Sequence, residues 1–342
     1  MKFYHLILFT FTLIITAERA FTQSASNHID ELYQVFEIGT VHSIIIEKGD
    51  SILYEEYRGQ MNRNRATNTK SASKSVLSLL IGIAIEEGYI ESVDEPIGQF
   101  FPDFFEANPD PAKEAITIKD LLTMRSGLES TSFRNYGRWV LSSNWTRFAL
   151  NQPMVGEPGG RMIYSTGTSH LLSVILTRAS GMSTRAFANQ YLFRPMSIQV
   201  GGWDRDPQGY YMGGNNMALS PLALLKIGRL MLDLGEYNGE QLVPAAWILD
   251  SVKIYTRSNF NNYNFGYMWW RKIVNGTEVV FAWGSGGQYI MLLPELDAVV
   301  SITSNVETSD GSRRYQRQVF RFVGEVIVPY LNSEQCTAGS WQ

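Results

Sequence analysis

The sequence predicts an α+β fold: an antiparallel sheet built from both chain ends, flanking helices, and a mainly helical lobe inserted between them. Three observations carry this reading. Runs rich in β-branched and aromatic residues lie near both ends. The stretch between them shows helical apolar spacing interrupted by Gly and Pro. One interior segment is apolar around nearly its whole circumference, the pattern of an enclosed helix.

The chain opens on MKFYHLILFTFTLIITAERA, where Lys2 precedes an apolar run from Leu6 to Ile15 and small residues follow at Ala17 and Ala20. This reads as a signal peptide over Met1 to Ala20, with the working domain over 24–332. The run is shorter than the roughly 18 to 20 residues that span a bilayer. The expectation is a periplasmic or secreted protein without stable membrane insertion once the leader is removed.

A short helical stretch near Ile29 to Phe36 comes next. Val41 to Ile46 and Ile52 to Tyr57 flank Gly49-Asp50 and read as a hairpin. From Ser71 to Glu87, Val76, Leu77, Leu79, Leu80, Ile81, Ile83, Ala84 and Ile85 cover the helix all round, and Gly88 supplies the stop. Helical patterns follow at Ile118 to Met124, Ser169 to Ala179 and Pro221 to Leu234. Strand signals return at Tyr263 to Trp270, Glu278 to Trp283, Gln288 to Leu293 and Ala298 to Ser304, before a last helix over Tyr315 to Leu331. Short connections make these strands antiparallel neighbours. An α/β lobe over 24–70 and 256–332 and a helical lobe over 71–255 would leave a cleft between them.

Composition narrows the chemistry. With 29 Lys+Arg against 33 Asp+Glu, the formal charge of −4 is too balanced for a nucleic-acid partner. One cysteine, Cys336, excludes an internal disulfide and any multi-cysteine metal site. The four histidines are His5, His28, His42 and His170, with no HExxH or paired spacing, and no nucleotide-binding glycine fingerprint is present. No metal or cofactor is expected. Gly167-Thr168-Ser169-His170-Leu171 lacks the final glycine of a nucleophile elbow, so His170 reads as a helix residue with a satisfied imidazole.

Ser71-Ala72-Ser73-Lys74 at the head of the buried helix is the strongest chemical signal. Residues three apart share a helix face, so the Lys74 amine can reach the Ser71 hydroxyl, and burial can lower the lysine pKa until it accepts a proton. By itself the pattern is equally that of an N-capping serine beside a solvated lysine. Downstream stand Leu121-Leu122-Thr123-Met124-Arg125-Ser126-Gly127-Leu128, Glu157-Pro158-Gly159, Tyr164-Ser165-Thr166-Gly167 and Trp283-Gly284-Ser285-Gly286-Gly287-Gln288.

In this order the motifs resemble the serine β-lactamase and penicillin-binding-protein superfamily, in particular the class C β-lactamase-related esterases and amide hydrolases. Asp206-Pro207-Gln208-Gly209, Gly213-Gly214 and Leu219-Ser220-Pro221 resemble the 6-aminohexanoate-dimer hydrolase branch. The resemblance covers about residues 30 to 331. It implies that Ser71 is acylated, that Lys74 is its partner, that Tyr164 shuttles protons, and that the backbone N–H groups of Ser71 and Ser285 form the oxyanion hole. It also implies a β-lactamase or transpeptidase-like fold.

Two positions depart from the β-lactamase pattern: Thr166 stands where Asn is usual and Ala282 where Lys or His is usual. An amide and a cation that would hold a carboxylate-bearing substrate are lost, which favours a neutral small-molecule ester or amide. Trp203, Tyr210, Trp283 and Gly284 are candidate substrate-binding residues, with Tyr211 a further aromatic wall. A β-lactamase or D-alanyl-D-alanine carboxypeptidase is the alternative enzyme. A catalytically idle cell-wall or scaffold protein of the same fold is the alternative of another class. The oligomeric state is not read from the sequence.

Overall fold

A computed structural model describes residues 30–306 and 313–333; the leader read at Met1 to Ala20, His5, His28 and Cys336 lie outside the described residues. The N-terminal hairpin is β1 (Val41–Lys48) and β2 (Ser51–Tyr57). A short β3 (Thr67–Asn68) leads to α1 (Ser73–Glu86). The inserted lobe includes α2 (Ile118–Leu122) and α3 (Thr166–Ser180), followed by β4 (Ala218–Leu219) and α4 (Pro221–Leu232). The chain then returns through β5 (Thr256–Arg257), β6 (Asn264–Phe265), β7 (Trp270–Val274), β8 (Thr277–Gly284), β9 (Gln288–Leu293) and β10 (Ala298–Ser304). A final helix, α5 (Arg313–Phe322), continues through a wide turn at Val323–Ile327 into Val328–Asn332.

These strands form one eight-stranded sheet in the order β2-β1-β10-β9-β8-β7-β6-β5, so the first hairpin docks on the last strand. The β1 to β10 pairing is antiparallel, with Ile44 opposite Ile302 and Ile46 opposite Val300. Ile44, Ile45 and Ile46 are all fully buried, so neither face of the sheet meets water there. On one face α4 rests on Ile290, Leu292 and Val299 at Gly228, where a Cβ would come within 2.4 Å of Val299. On the other, Phe320 of α5 meets Phe281 and Tyr289 at ring separations of 5.0 and 6.0 Å. The α4 segment thus lies on the sheet, although the sequence assigns it to the helical stretch.

The interior helix begins later than its apolar pattern suggests. Lys70–Ala72 forms a tight 3-10 turn, and α1 starts at Ser73 with Ala72 at its N-cap and no side-chain cap. Ser71 therefore sits in the lead-in turn and is not the helix cap. Leu77, Leu79, Leu80 and Ile81 are fully buried, and each such burial is worth roughly 1.5 to 3 kcal/mol, which makes α1 a rigid mount. Gly88, at φ 73°, follows the end of the helix as expected.

The expected strand Tyr263 to Trp270 is instead two strands separated by a turn. Gly266 N–H donates to the Trp269 carbonyl at 2.8 Å, and Met268 takes φ 64°. A Cβ on Gly266 would lie 2.1 Å from the Ser251 carbonyl oxygen, so the turn is pressed into the helical lobe. Ser75 of α1 donates to the Met268 carbonyl at 2.6 Å, which ties that turn to the nucleophile's helix.

Candidate active site

Ser71, Lys74 and Tyr164 come together. Lys74 Nζ is 3.1 Å from Ser71 Oγ, 3.3 Å from Thr166 Oγ1 and 2.6 Å from the Gly214 carbonyl oxygen. The Tyr164 hydroxyl hydrogen-bonds Ser71, and the Lys74 ammonium position is 5.2 Å from the Tyr164 ring centre. Lys74 is 2% exposed, and desolvation by burial alone lowers its pKa to about 7. The same burial pushes Tyr164 up to about 12, against a smaller opposing effect of its hydrogen bond with Ser71.

The segment bearing Tyr164 is held by main-chain bonds to the Thr123–Leu128 motif. Ile163 N–H donates to the Met124 carbonyl at 2.7 Å, and Gly159 N–H to that of Arg125 at 2.9 Å. Ser165 caps α3 by accepting from Thr168 N–H. Ser132 Oγ accepts Thr166 N–H at 2.8 Å, and Thr131 Oγ1 accepts Gly167 N–H at 2.7 Å. Three orphan donors of the first helical turn are thereby satisfied, which fixes where Thr166 and Tyr164 stand. Thr166 Oγ1 also meets Ser132 Oγ at 3.0 Å, so its hydroxyl is turned toward Lys74 and Ser132.

The end of β8 lies against the nucleophile's lead-in turn. A Cβ on Gly284 would be 2.1 Å from the Thr69 carbonyl oxygen and 3.1 Å from Lys70 Cβ, so only glycine lets the backbones approach this closely. Ser285, the next residue, is exposed. Ala282 is fully buried, and Trp283 is half-buried.

The aromatic candidates divide. Trp283 is 6.0 Å from Trp270, whose ring stacks on Tyr164 at 6.1 Å. Trp203 is 6% exposed; its indole N–H donates to the Met212 carbonyl at 2.9 Å, and it bridges to Met217. The Met217 carbonyl accepts both Thr69 N–H and Oγ1–H, so Trp203 supports the approach to Ser71 from behind and offers substrate little surface. Tyr210 is set apart: its hydroxyl is 3.4 Å from Arg178 Nε in a cavity of about 190 Å³ lined by Phe101, Asp103, Arg147 and Gln208. Tyr210 belongs to a different loop face because Asp206 accepts its N–H and folds the loop back.

The sequence reading missed the Gly214 carbonyl, Ser132 and the ring set of Phe133, Phe260 and Trp270 around Tyr164, at 6.1, 6.0 and 6.1 Å. The paired glycines Gly213-Gly214 were the available signal. A Cβ on Gly214, at φ 87°, would meet Lys74 Cγ at 2.3 Å.

The beta-lactamase family model matches residues 38–324. The chain belongs to the beta-lactamase family. It is a serine hydrolase of the β-lactamase and penicillin-binding-protein superfamily. The 6-aminohexanoate-dimer hydrolase of Paenarthrobacter ureafaciens is 21% identical over 310 residues, covering 80% of this chain and 75% of that one. Penicillin-binding protein 4* of Bacillus subtilis is 28% identical over 200 residues, 52% of this chain, which spans only 41% of that protein. Among solved structures, a putative 6-aminohexanoate-dimer hydrolase from Bacillus anthracis superposes with TM-score 0.71 at 17% identity, covering 88% of this chain and 83% of that one. EstCE1, a hydrolase with promiscuous acyltransferase activity, gives TM-score 0.70 at 17% identity, covering 88% and 98%. The expected β-lactamase-like α+β architecture is the fold of this beta-lactamase-family chain.

Proposed function

We propose that this chain is an exported hydrolase that cleaves a neutral carboxylic ester or amide through an acyl-enzyme on Ser71. The observation that carries the reading is a fully buried Lys74 amine, titrating at about 7, within 3.1 Å of the Ser71 hydroxyl. A neutral amine has two N–H bonds and one lone pair. Directing the N–H bonds to Gly214 and Thr166 leaves the lone pair for Ser71 O–H. Lys74 is then the base.

Tyr164, held at about 12, keeps its proton throughout the neutral range and is the acid. Ser71 Oγ attacks the substrate carbonyl carbon as its proton passes to Lys74. The N–H groups of Ser71 and Ser285 receive the oxyanion. On collapse the carbon to leaving-group bond breaks, the leaving oxygen or nitrogen takes the Tyr164 proton, and the Lys74 proton restores it through the hydrogen-bonded set. Water then repeats the sequence against the acyl-enzyme. Tyr164→Phe keeps the ring packing and removes the proton, so kcat is expected to fall by about 10² to 10⁴ with KM little changed. Near-normal kcat would assign the acid elsewhere.

Neutral substrate follows from the two departures. Thr166 spends its hydroxyl on Lys74 and Ser132, and Ala282 brings no charge. Arg271 is committed to Glu278 and the Val252 carbonyl, and Arg205 lies over Tyr211. The aromatic set about Tyr164 suits an apolar acyl or leaving group. The 6-aminohexanoate-dimer hydrolase likeness supports a linear amide as a second substrate class.

Profiling purified protein against p-nitrophenyl esters, linear amides and nitrocefin tests this. The specificity constant for short esters is expected to exceed that for nitrocefin by about 10²-fold, the worth of one charge-assisted and one neutral hydrogen bond. Equal rates would overturn the neutral-substrate reading in favour of a β-lactamase. Export is inferred from the leader, and N-terminal sequencing of the mature chain decides it.

A further inference from the structure

The mechanism above leaves one buried ionisable pair unused. His170 and Asp206 are both enclosed, with His170 Nε2 3.1 Å from Asp206 Oδ2. His170 Nδ1 accepts Gly213 N–H at 3.2 Å, so Nδ1 carries no proton and the ring proton sits on Nε2, donated to Asp206. Asp206 Oδ1 accepts the N–H groups of Gln208 and Tyr210, each at 2.9 Å. Every polar atom of the pair is thus engaged. The rings of Trp139 and Trp145 pack against the imidazole at 5.8 and 5.6 Å.

The pair grips a loop whose next peptide serves Lys74. Gly213 is the residue held by Nδ1, and Gly214 presents the carbonyl that lies 2.6 Å from Lys74 Nζ, the shortest contact that amine makes. Ser169, beside His170 on α3, places Oγ 2.7 Å from the Gly213 carbonyl oxygen and so holds the same loop from the other side of the peptide. The loop is flush with the helix, because a Cβ on Gly213 would lie 2.5 Å from the Ser169 carbonyl oxygen. Lys74 faces Ser71, Thr166, Tyr164 and this carbonyl, and among the described residues no acidic side chain acts on it. The orientation of the amine therefore depends on a backbone group rather than a counter-ion.

Resting on the reading of Lys74 as base, we infer that His170 is a positioning residue: accepting Gly213 N–H fixes the Gly214 carbonyl that aims Lys74 Nζ at Ser71. Asp206 acts one step further out, holding the imidazole in the tautomer that accepts.

Two near-isosteric variants separate this role from simple packing. His170→Asn places its amide oxygen near the Nδ1 position and keeps an acceptor for Gly213. His170→Gln places its amide near Nε2, keeps a partner for Asp206 and loses that acceptor. The readouts are the rate of Ser71 labelling by a fluorophosphonate across pH, kcat and KM for p-nitrophenyl butyrate, and Tm. His170→Gln is expected to label about 10- to 100-fold more slowly at a pH above the Lys74 titration, the scale of a misaligned reactive group. Its kcat should fall in step while KM stays within about 3-fold, and His170→Asn should recover most of the rate. Equal rates in both variants, or losses that track Tm alone, would overturn the inference. Should neither variant fold, Ser169→Ala, which releases the Gly213 carbonyl together with the Thr166 carbonyl that the same hydroxyl reaches at 2.9 Å, is expected to slow labelling several-fold, and a wild-type rate there would overturn it. An unlabelled wild-type Ser71 would instead sink the reading of the site itself.

Discussion

Ser71→Ala is expected to abolish ester turnover, with a loss of about 10⁴-fold or more, the scale seen when a serine nucleophile is removed. Stability should hardly change. The Ser71 hydroxyl caps no helix, since Ala72 occupies the N-cap without a side-chain bond. Its partners are Lys74 and Tyr164, which keep Thr166, the Gly214 carbonyl and the surrounding rings. Losing these contacts is worth about 1 kcal/mol, within the range of ordinary hydrogen bonds. Turnover of the purified variant and its thermal melt check both halves. Residual turnover within about 10-fold of wild type would require another nucleophile.

Lys74→Met is expected to be equally inactive, with a stability relative to wild type that falls as pH rises from 7. In the unfolded chain this amine titrates near 10.5, and in the fold at about 7. Between those values the unfolded chain binds more protons than the folded one, so folding stability rises with pH across that window. Below about 7 the cost is complete, on the order of 5 kcal/mol for a shift of this size. Methionine removes that cost but leaves the Gly214 carbonyl and Thr166 with lost partners, at about 1 to 3 kcal/mol each. The balance at neutral pH lies between a loss of about 1 and a gain of about 3 kcal/mol, and it is the pH dependence of that balance that isolates the lysine.

The sign gives a second check. The stability of Lys74→Met relative to wild type should fall as pH rises from 7 toward 10.5, because wild type recovers the cost as its unfolded state deprotonates. Denaturant melts of both proteins across that range measure it. A pH-independent gap would show that burial does not depress this amine. In the active enzyme the same titration should appear as a rate that rises through about pH 7 as Lys74 becomes neutral, with Tyr164 still protonated.

The sheet was legible in the sequence because its strands are built from β-branched and aromatic runs with little competing pattern. The Tyr263 to Trp270 segment shows the limit. Aromatic residues on both sides of Gly266 favour extended chain, and the turn exists because distant groups, the Ser251 carbonyl and Ser75 Oγ, capture its backbone. Local propensity yields there to tertiary contact.

Legibility at the site followed the kind of group involved. Side chains in short motifs, such as Ser71 and Lys74 three residues apart, announce themselves. The Gly214 carbonyl does not, since it is a backbone atom 140 residues from the lysine it contacts. Tyr210 was misplaced for a related reason: its aromatic character is visible, but the Asp206 turn that carries it toward Arg178 depends on main-chain bonds. His170, read as a satisfied helix residue, does have both ring nitrogens engaged, but the sequence does not reveal that one of them holds the loop serving Lys74.

The central claim is that Ser71 is the nucleophile, activated by the amine of Lys74. The most direct measurement is fluorophosphonate labelling of wild type and Lys74→Met, with the modified peptide located by mass spectrometry. Wild type should carry one adduct, on the peptide containing Ser71, and Lys74→Met should react far more slowly. An adduct on Ser169 or Ser285, or undiminished labelling without the lysine, would contradict the account.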